Sequence, residues 1–198
     1  MTSVILASGS EICASLLKNA GVTFDVEVAR IDEASIIASL KQEETIPHDV
    51  VDTLAEYKAA RVAAKYPESL VIGCDQILDC DKQIYEKVGN MDSAREKLLS
   101  LRGKAHQLMS AVVIFEDGKP VWRQIGRAQL IMRDFSDDFI DGYLERNGTD
   151  ILSSVGCYKL EEEGAQLFTR IQGDYFTILG IPLLDVLGFL RTRGVIDN

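Results

Sequence analysis

The sequence predicts an α/β fold of two lobes, and three observations carry that expectation. Strand-like and helix-like segments alternate along the whole chain. Near its middle, two long strand-like runs flank Glu116-Asp117-Gly118-Lys119, and Asp-Gly is a strong hairpin signal. At its start an apolar run enters Ser8-Gly9-Ser10 and opens a helix, a place suited to hold phosphate.

Taken in order, Ser3 to Ala7 reads as a buried strand and Glu11 to Asn19 as a helix closed by Gly21. Thr23 to Val28 follows as a strand and Glu33 to Lys41 as a short helix. Pro47, well tolerated in a first turn, opens a longer helix to about Lys65. Its apolar face is Val51, Leu54, Ala55 and Val62, and Lys58 falls in the middle of that face. Leu70 to Leu78 is the central strand, with a turn near Asp79-Lys82 and a return through Ile84-Tyr85. Asp92 to Leu101 is a helix with Ala94, Leu98 and Leu101 on one side. Ala105 to Phe115 and Val121 to Met132 are the hairpin strands. Ser136 caps a helix whose first turn carries Asp137 and Asp138, matching the helix dipole. Asp150 to Gly173 reads as polar and loop-rich. Pro182 opens a final helix with Leu183, Val186, Leu187 and Leu190 inside, ended by Gly194. There are no repeats and no linker, so residues 1–198 are expected to form a single domain of two lobes, with loops lining a cleft between them.

With 198 residues, 46% of them hydrophobic, the chain has the material for a core. A net charge of −10 disfavours binding to a nucleic acid polymer. It leaves room for a small anion, since a few lysines around one pocket override the global sign locally. The cysteines Cys13, Cys74, Cys80 and Cys157 form no CxxC pair, which argues against a zinc site and fits a reducing cytoplasm. Met1-Thr2-Ser3 leads straight into the first strand with no basic segment before a long apolar run, so no signal peptide is expected. No run approaches the length of a membrane span, and no membrane partner is expected.

The residues that stand out suggest chemistry on a nucleotide. Val71-Ile72-Gly73-Cys74-Asp75-Gln76 is an apolar strand interrupted by an acid and an amide. Asp75 is either a base or metal-positioning acid, or a strand-end residue capping a turn. Lys58 and Lys87 are either cations that neutralise phosphate or surface lysines, Lys58 with its stem packed and its amine solvated. Glu33 is either a second acid near a metal or a first-turn helix glutamate. Ser8 and Ser10 offer hydroxyls and N–H groups to phosphate, and equally suit an N-cap turn. In a regular strand Asp75 and Gln76 point to opposite faces, so both line one pocket only if the strand ends or bulges there. His106, at a strand start, and His48, in a first turn, receive no role.

An ordered set of segments resembles the Maf family. It comprises Leu6-Ala7-Ser8-Gly9-Ser10, Ile31-Asp32-Glu33, Ala55-Glu56-Tyr57-Lys58-Ala59, Gly73-Cys74-Asp75-Gln76, Glu86-Lys87, Arg102-Gly103-Lys104-Ala105-His106, Ile171-Gln172-Gly173-Asp174-Tyr175 and Gly180-Ile181-Pro182-Leu183. The match runs through nearly the whole chain in order. The resemblance implies a two-lobed α/β fold akin to inosine triphosphate pyrophosphatases, with a central mixed sheet and an interlobe cleft. It implies cleavage of a nucleoside triphosphate to the monophosphate and pyrophosphate with a divalent cation, Mg²⁺, Mn²⁺ or Co²⁺, and a homodimer at the level of the family. Asp75, Lys58 and Lys87 then carry catalysis, Glu33 and Asp75 the metal, and Ser8, Ser10, Gln76 and Glu161 the substrate.

Within the family, the thymidine and uridine triphosphate enzymes have threonine after the catalytic Asp and a later glutamine. The group linked to 7-methylguanosine triphosphate has glutamine and glutamate. Gln76 after Asp75, and Glu161 in Tyr158-Lys159-Leu160-Glu161, resemble the second group. The chemistry agrees: a carboxylate accepts from the two adjacent N–H donors of a guanine edge, and an amide donates to its carbonyl. The chain also departs from the family pattern. Cys13 stands where an arginine is expected, Glu11 where a proline is, and Val88 replaces the proline after Lys87. Cysteine cannot replace bidentate phosphate contact by arginine. The alternative expectation is therefore a catalytically impaired Maf-like protein that binds a nucleotide or a partner.

Overall fold

The computed structural model describes residues 3–197. Met1 and Thr2, read above as the lead into the first strand, lie outside the described residues. Seven strands form one mixed sheet in the order β2-β1-β3-β5-β6-β7, with β4 paired to β3. In chain order the elements are β1 (Val4–Leu6), α1 (Glu11–Asn19), β2 (Asp25–Val26), α2 (Glu33–Gln42), α3 (Pro47–Ala63), β3 (Leu70–Cys80) and β4 (Gln83–Tyr85). There follow α4 (Met91–Leu101), β5 (Ala105–Glu116), β6 (Lys119–Met132), α5 (Asp137–Asn147), β7 (Phe168–Gln172), α6 (Tyr175–Leu179) and α7 (Leu183–Thr192). The α/β class and the central mixed sheet are as expected.

The local signals explain most boundaries. Ser10, Asp32, Asn90 and Ser136 each accept a hydrogen bond from a backbone N–H of the helix they precede, satisfying donors that a first turn leaves open. Asp117 and Gly118 both have positive φ, 51° and 71°, the geometry of a tight hairpin whose twist matches its strands. Asp81 and Lys82 do the same between β3 and β4, at 55° and 66°.

Two expectations need correction. The strand foreseen over Thr23 to Val28 is only Asp25–Val26, an exposed edge paired in parallel to β1. The loop-rich region from Asp150 onward contains β7, which pairs antiparallel with β6 through Leu130 opposite Ile171. Its residues are mostly exposed and polar, so the sequence carried no alternating pattern. α6 is a single short helix capped by Asp174, in a stretch for which the sequence predicts no element.

The chain divides into two compact units. The first holds the residues up to Gln76, Ser110–Gly126 and those from Asp174 onward; the second holds Ile77–Met109 and Arg127–Gly173. In the first, Val4 and Leu6 of β1, Leu70 and Ile72 of β3, and Val112 and Ile114 of β5 bury one sheet face against Leu17 of α1 and Val186 and Leu190 of α7. α3 buries Val51, Leu54, Ala55, Ala59 and Val62. In the second, α4 buries Ala94, Leu98 and Leu101, and α5 buries Ile140 and Tyr143. No helix among the described residues is long and apolar enough to cross a membrane.

Candidate active site

Strand alternation organises the centre of the first unit. Leu70, Ile72 and Cys74 of β3 lie in the core with α1 and α7. Gly73, facing the other way, lies directly on α3. A Cβ at Gly73 would sit 2.3 Å from the Ala55 carbonyl oxygen and 2.6 Å from the Ala59 nitrogen. Only glycine admits so close an approach of strand to helix. Two residues further along, on the same face, Asp75 meets the next position of α3. Lys58 Nζ lies 2.5 Å from Asp75 Oδ1 and 2.8 Å from Glu33 Oε1, at the first residue of α2. Lys58, Asp75 and Glu33 are thus one ionic cluster.

Lys58 is only 9% exposed. Burial alone would pull its ammonium pKa down, but the Asp75 and Glu33 charges outweigh this and hold it above the usual lysine range. The lysine predicted inside an apolar helix face does not snorkel outward. Two of its three donors are engaged by carboxylates.

The Ser8-Gly9-Ser10 turn leaves the sheet beside this cluster. Ala7 N–H donates to the Ile72 carbonyl, and Leu6 pairs in register with Ile72. Ser8 Oγ accepts from Ser10 N–H at 3.2 Å, and Ser10 Oγ accepts from Cys13 N–H at 3.4 Å. The turn is therefore an N-cap, and it also presents Ser10 at the partly exposed opening of α1.

Gln76 turns to the opposite face from Asp75. Its Nε2 lies 3.0 Å from Ser110 Oγ, 3.1 Å from the Thr177 carbonyl and 2.9 Å from the Ile178 carbonyl. Two carbonyls fix which end of the amide is nitrogen, and both of its N–H donors are engaged by protein. This corrects the expectation that Gln76 donates to a base carbonyl; its remaining capacity is the amide oxygen, an acceptor. β3 runs unbroken from Leu70 to Cys80, so Asp75 and Gln76 do not turn to one side of the strand.

Cys13 does not occupy an open phosphate-facing position. It is 3% exposed, and its Sγ lies 3.6 Å from the Gly180 carbonyl oxygen. The Cys74 thiol is pushed up by its hydrogen bond to Cys13 and by burial, and the same hydrogen bond holds the Cys13 thiol below the usual value. All four cysteines are free and buried.

Lys87 and Glu161 belong to the second unit, where both are exposed. Lys87 follows β4 in the segment before α4. The loop that carries Glu161 is anchored from inside: Tyr158 is buried with its hydroxyl 2.7 Å from His106 Nε2, and Lys159 pairs with Asp150. Burial pulls His106 down to about 4, so its ring is neutral. Sequence reasoning gave His106 no role and missed Lys97. Lys97 is 7% exposed and donates to the carbonyls of Glu86, beside Lys87, and Val155. The signal was present: residue 97 lies within the stripe formed by Ala94, Leu98 and Leu101, as Lys58 does on α3. Among the described residues no three His, Cys, Asp or Glu side chains come together as a ready-made metal cage.

Comparison with known proteins places these features in a family. The family model described as Maf-like protein matches residues 3–193. A nucleoside triphosphate pyrophosphatase of Ruegeria sp. (strain TM1040) is 48% identical over 100% of this chain and 99% of its own length. One of Caulobacter vibrioides (strain ATCC 19089 / CIP 103742 / CB 15) is 50% identical over 99% and 98%. A 7-methyl-GTP pyrophosphatase of Brucella abortus biovar 1 (strain 9-941) is 47% identical over 98% of each chain.

Proposed function

This chain belongs to the Maf family, and on that premise we propose that it acts on a 7-methylguanosine-type triphosphate, releasing the monophosphate and pyrophosphate. Its activity is that of a nucleoside triphosphate pyrophosphatase, a hydrolase of acid anhydrides, as in relatives matched along the full chain. The observation that carries the site assignment is the buried Lys58 ammonium held between Asp75 and Glu33 beside the Ser8-Gly9-Ser10 turn.

Anhydride cleavage needs a positioned water, neutralised phosphate oxygens and a group that takes the water's proton. Asp75 is the acceptor for that proton. The Lys58 ammonium fixes the Asp75 carboxylate and keeps the cluster from carrying two uncompensated negative charges. Ser10 and the N–H groups at the start of α1 receive phosphate, with Ser8 holding the turn. Lys87, exposed after β4, is a further cation for phosphate. Glu33 and Asp75 are the residues that would hold a divalent cation, Mg²⁺, Mn²⁺ or Co²⁺. Two hard carboxylates fit an ion that takes one or two protein carboxylates and completes its shell with water and substrate phosphates. When bound, such an ion withdraws charge from the phosphate oxygens.

For the base, Glu161 is the reader. A carboxylate accepts from adjacent ring and exocyclic N–H groups of guanine, and 7-methylation adds a positive charge to the ring that an acid favours. The Gln76 amide oxygen contributes as an acceptor. A second reading, a nucleotide-binding protein without turnover, is favoured by Cys13 alone, because position 13 supplies no cation.

Pyrophosphate release across a panel of nucleotides with Mg²⁺, Mn²⁺ or Co²⁺ separates the two readings. Turnover in the wild type, lost by about 10²–10⁴-fold in Asp75→Asn as for removal of a general base, supports the hydrolase. A wild type inert on every nucleotide sinks it. Glu161→Gln should weaken 7-methyl-GTP against UTP by about 1.5–3 kcal/mol, the worth of a charged hydrogen bond. Equal losses on both would remove Glu161 from base recognition.

A further inference from the structure

A cavity of about 540 Å³ lies along α3, outside the ionic cluster, between that helix and the segment that follows β2. Two ion pairs bracket it. Glu27 meets Lys65 at 2.8 Å at one end, and Glu33 meets Lys58 at 2.8 Å at the other. Between these ties the segment and the helix stand apart, and the gap is lined by Val28 and Ala29 on one side and Arg61 and Val62 on the other, with Arg30. The volume is within the range of small-molecule sites.

The charge of the lining is unusual for this chain. The protein carries −10, yet Arg30, Arg61 and Lys65 face the cavity against Glu27 as the one acid. Five arginines elsewhere pair with carboxylates, Arg95 with Asp141, Arg102 with Asp137, Arg123 with Asp52, Arg146 with Glu163 and Arg193 with Glu116. Arg127, Arg133, Arg170 and Arg191 do not among the described residues, and they line no part of this cavity. Neither Arg30 nor Arg61 is within salt-bridge distance of a carboxylate among the described residues, and Lys65 is tied to Glu27. Arginines left open in an acidic protein, at the walls of one cavity, present planar donor forks suited to phosphate oxygens.

We propose that this cavity binds a polyphosphate group, with Arg30 and Arg61 as its clamp. The position of α3 connects it to the proposed chemistry, and to that extent the inference rests on the hydrolase reading. At about 1.5 Å per residue, Arg61 lies about one turn along α3 from Lys58. A triphosphate whose reacting phosphorus sits at the Glu33–Lys58–Asp75 cluster therefore has its leaving end within reach of the cavity. The clamp also accounts for Cys13: the guanidinium missing at the start of α1 is supplied from α3 and from the segment before α2. The shared chemistry has two sources, the substrate's own phosphate tail and a separate inorganic polyphosphate anion.

Calorimetric titration of the full chain with inorganic pyrophosphate, with and without Mg²⁺, tests the site. Arg30→Ala with Arg61→Ala should raise the pyrophosphate Kd about tenfold or more, as expected for lost charge-assisted hydrogen bonds. The lysine variants at the same positions should recover part of the loss. Arg95→Ala with Arg102→Ala removes the same charge in the second unit and should leave the Kd unchanged. A KM for nucleotide that rises with the pyrophosphate Kd while kcat holds, together with competitive inhibition by pyrophosphate, identifies the substrate tail as occupant. Pyrophosphate that binds alongside nucleotide without competing identifies a separate anion. A wild type that does not bind pyrophosphate, or a double variant that binds it as tightly as the wild type, overturns the proposal. Arginine-dependent binding in a chain that turns over no nucleotide would sink the hydrolase reading and leave the cavity standing.

Discussion

Two lysines are buried, one in each compact unit, and they are stabilised in opposite ways. Lys58 in the first unit is held between two carboxylates, and its proton is bound more tightly than usual. Lys97 in the second is held by the carbonyl oxygens of Glu86 and Val155, and burial pulls its pKa below the usual lysine value. In the same unit the buried His106, against Tyr158, is neutral. Full charges in a low-dielectric setting are costly to desolvate and strong in their effect on a nearby anion, whereas dipoles hold a loop at less risk. The first arrangement suits chemistry on phosphate; the second suits keeping the loops near Lys87 and Glu161 in place.

The largest expected effect breaks the first arrangement. Lys58→Met leaves Asp75 without its cation, and removing one partner of a buried pair costs about 3–5 kcal/mol. The lower end applies here, because Glu33 is 48% exposed and water screens its charge. Urea unfolding should show the loss, and pyrophosphate release should cease. Adding Asp75→Leu should restore much of the stability and none of the activity. A single variant as stable as the wild type would show that the cluster is not compensated as described.

Next in size is the acid limb of the second arrangement. His106 has a folded pKa of about 4 against 6.5 ordinarily. A depressed pKa means the unfolded chain binds the proton first. The neutral His106 therefore contributes fully above pH 6.5, and its contribution is lost as pH falls towards 4. The loss is on the order of 3 kcal/mol, and His106→Gln should flatten stability across that window. An unchanged acid limb would remove His106 from the account.

The smallest effect sharpens the contrast. Lys97→Met strands two carbonyls and should cost about 1–3 kcal/mol in thermal or urea unfolding. The lysines should also respond oppositely to alkali. The stabilisation from Lys58 is full below the ordinary lysine pKa of 10.5 and is lost only above it, as pH passes its raised folded value. The cost of burying charged Lys97 is full at low pH and is relieved as pH climbs through its lowered folded value towards 10.5. Parallel alkaline slopes in the two variants would contradict the comparison.

Much of this architecture was readable from local chemistry. Capping side chains, Pro47 and the Asp117-Gly118 turn act within a few residues, so α1, α3, α5 and the central hairpin emerge from sequence alone. Helical spacing put Lys58 inside the apolar face of α3 but left open whether its amine reaches solvent or is held inside. β7 did not emerge, because an exposed edge strand is defined by hydrogen bonds to β6 and not by its own apolar pattern.

By itself, then, the sequence determined the α/β class, the family likeness and which residues were out of place: an acid and an amide in a buried strand, a lysine in an apolar stripe, a cysteine where a guanidinium was expected. Tertiary structure alone decided what those residues touch. Glu33, Lys58 and Asp75 meet because Gly73 lets β3 lie against the α3 backbone. The Gln76 amide nitrogen is consumed by Thr177 and Ile178, about a hundred residues away. Cys13 is buried against Gly180, at the other end of the chain. Periodicity and capping are short-range effects written residue by residue. Ion pairs and hydrogen bonds between distant segments depend on packing distances that no local pattern records.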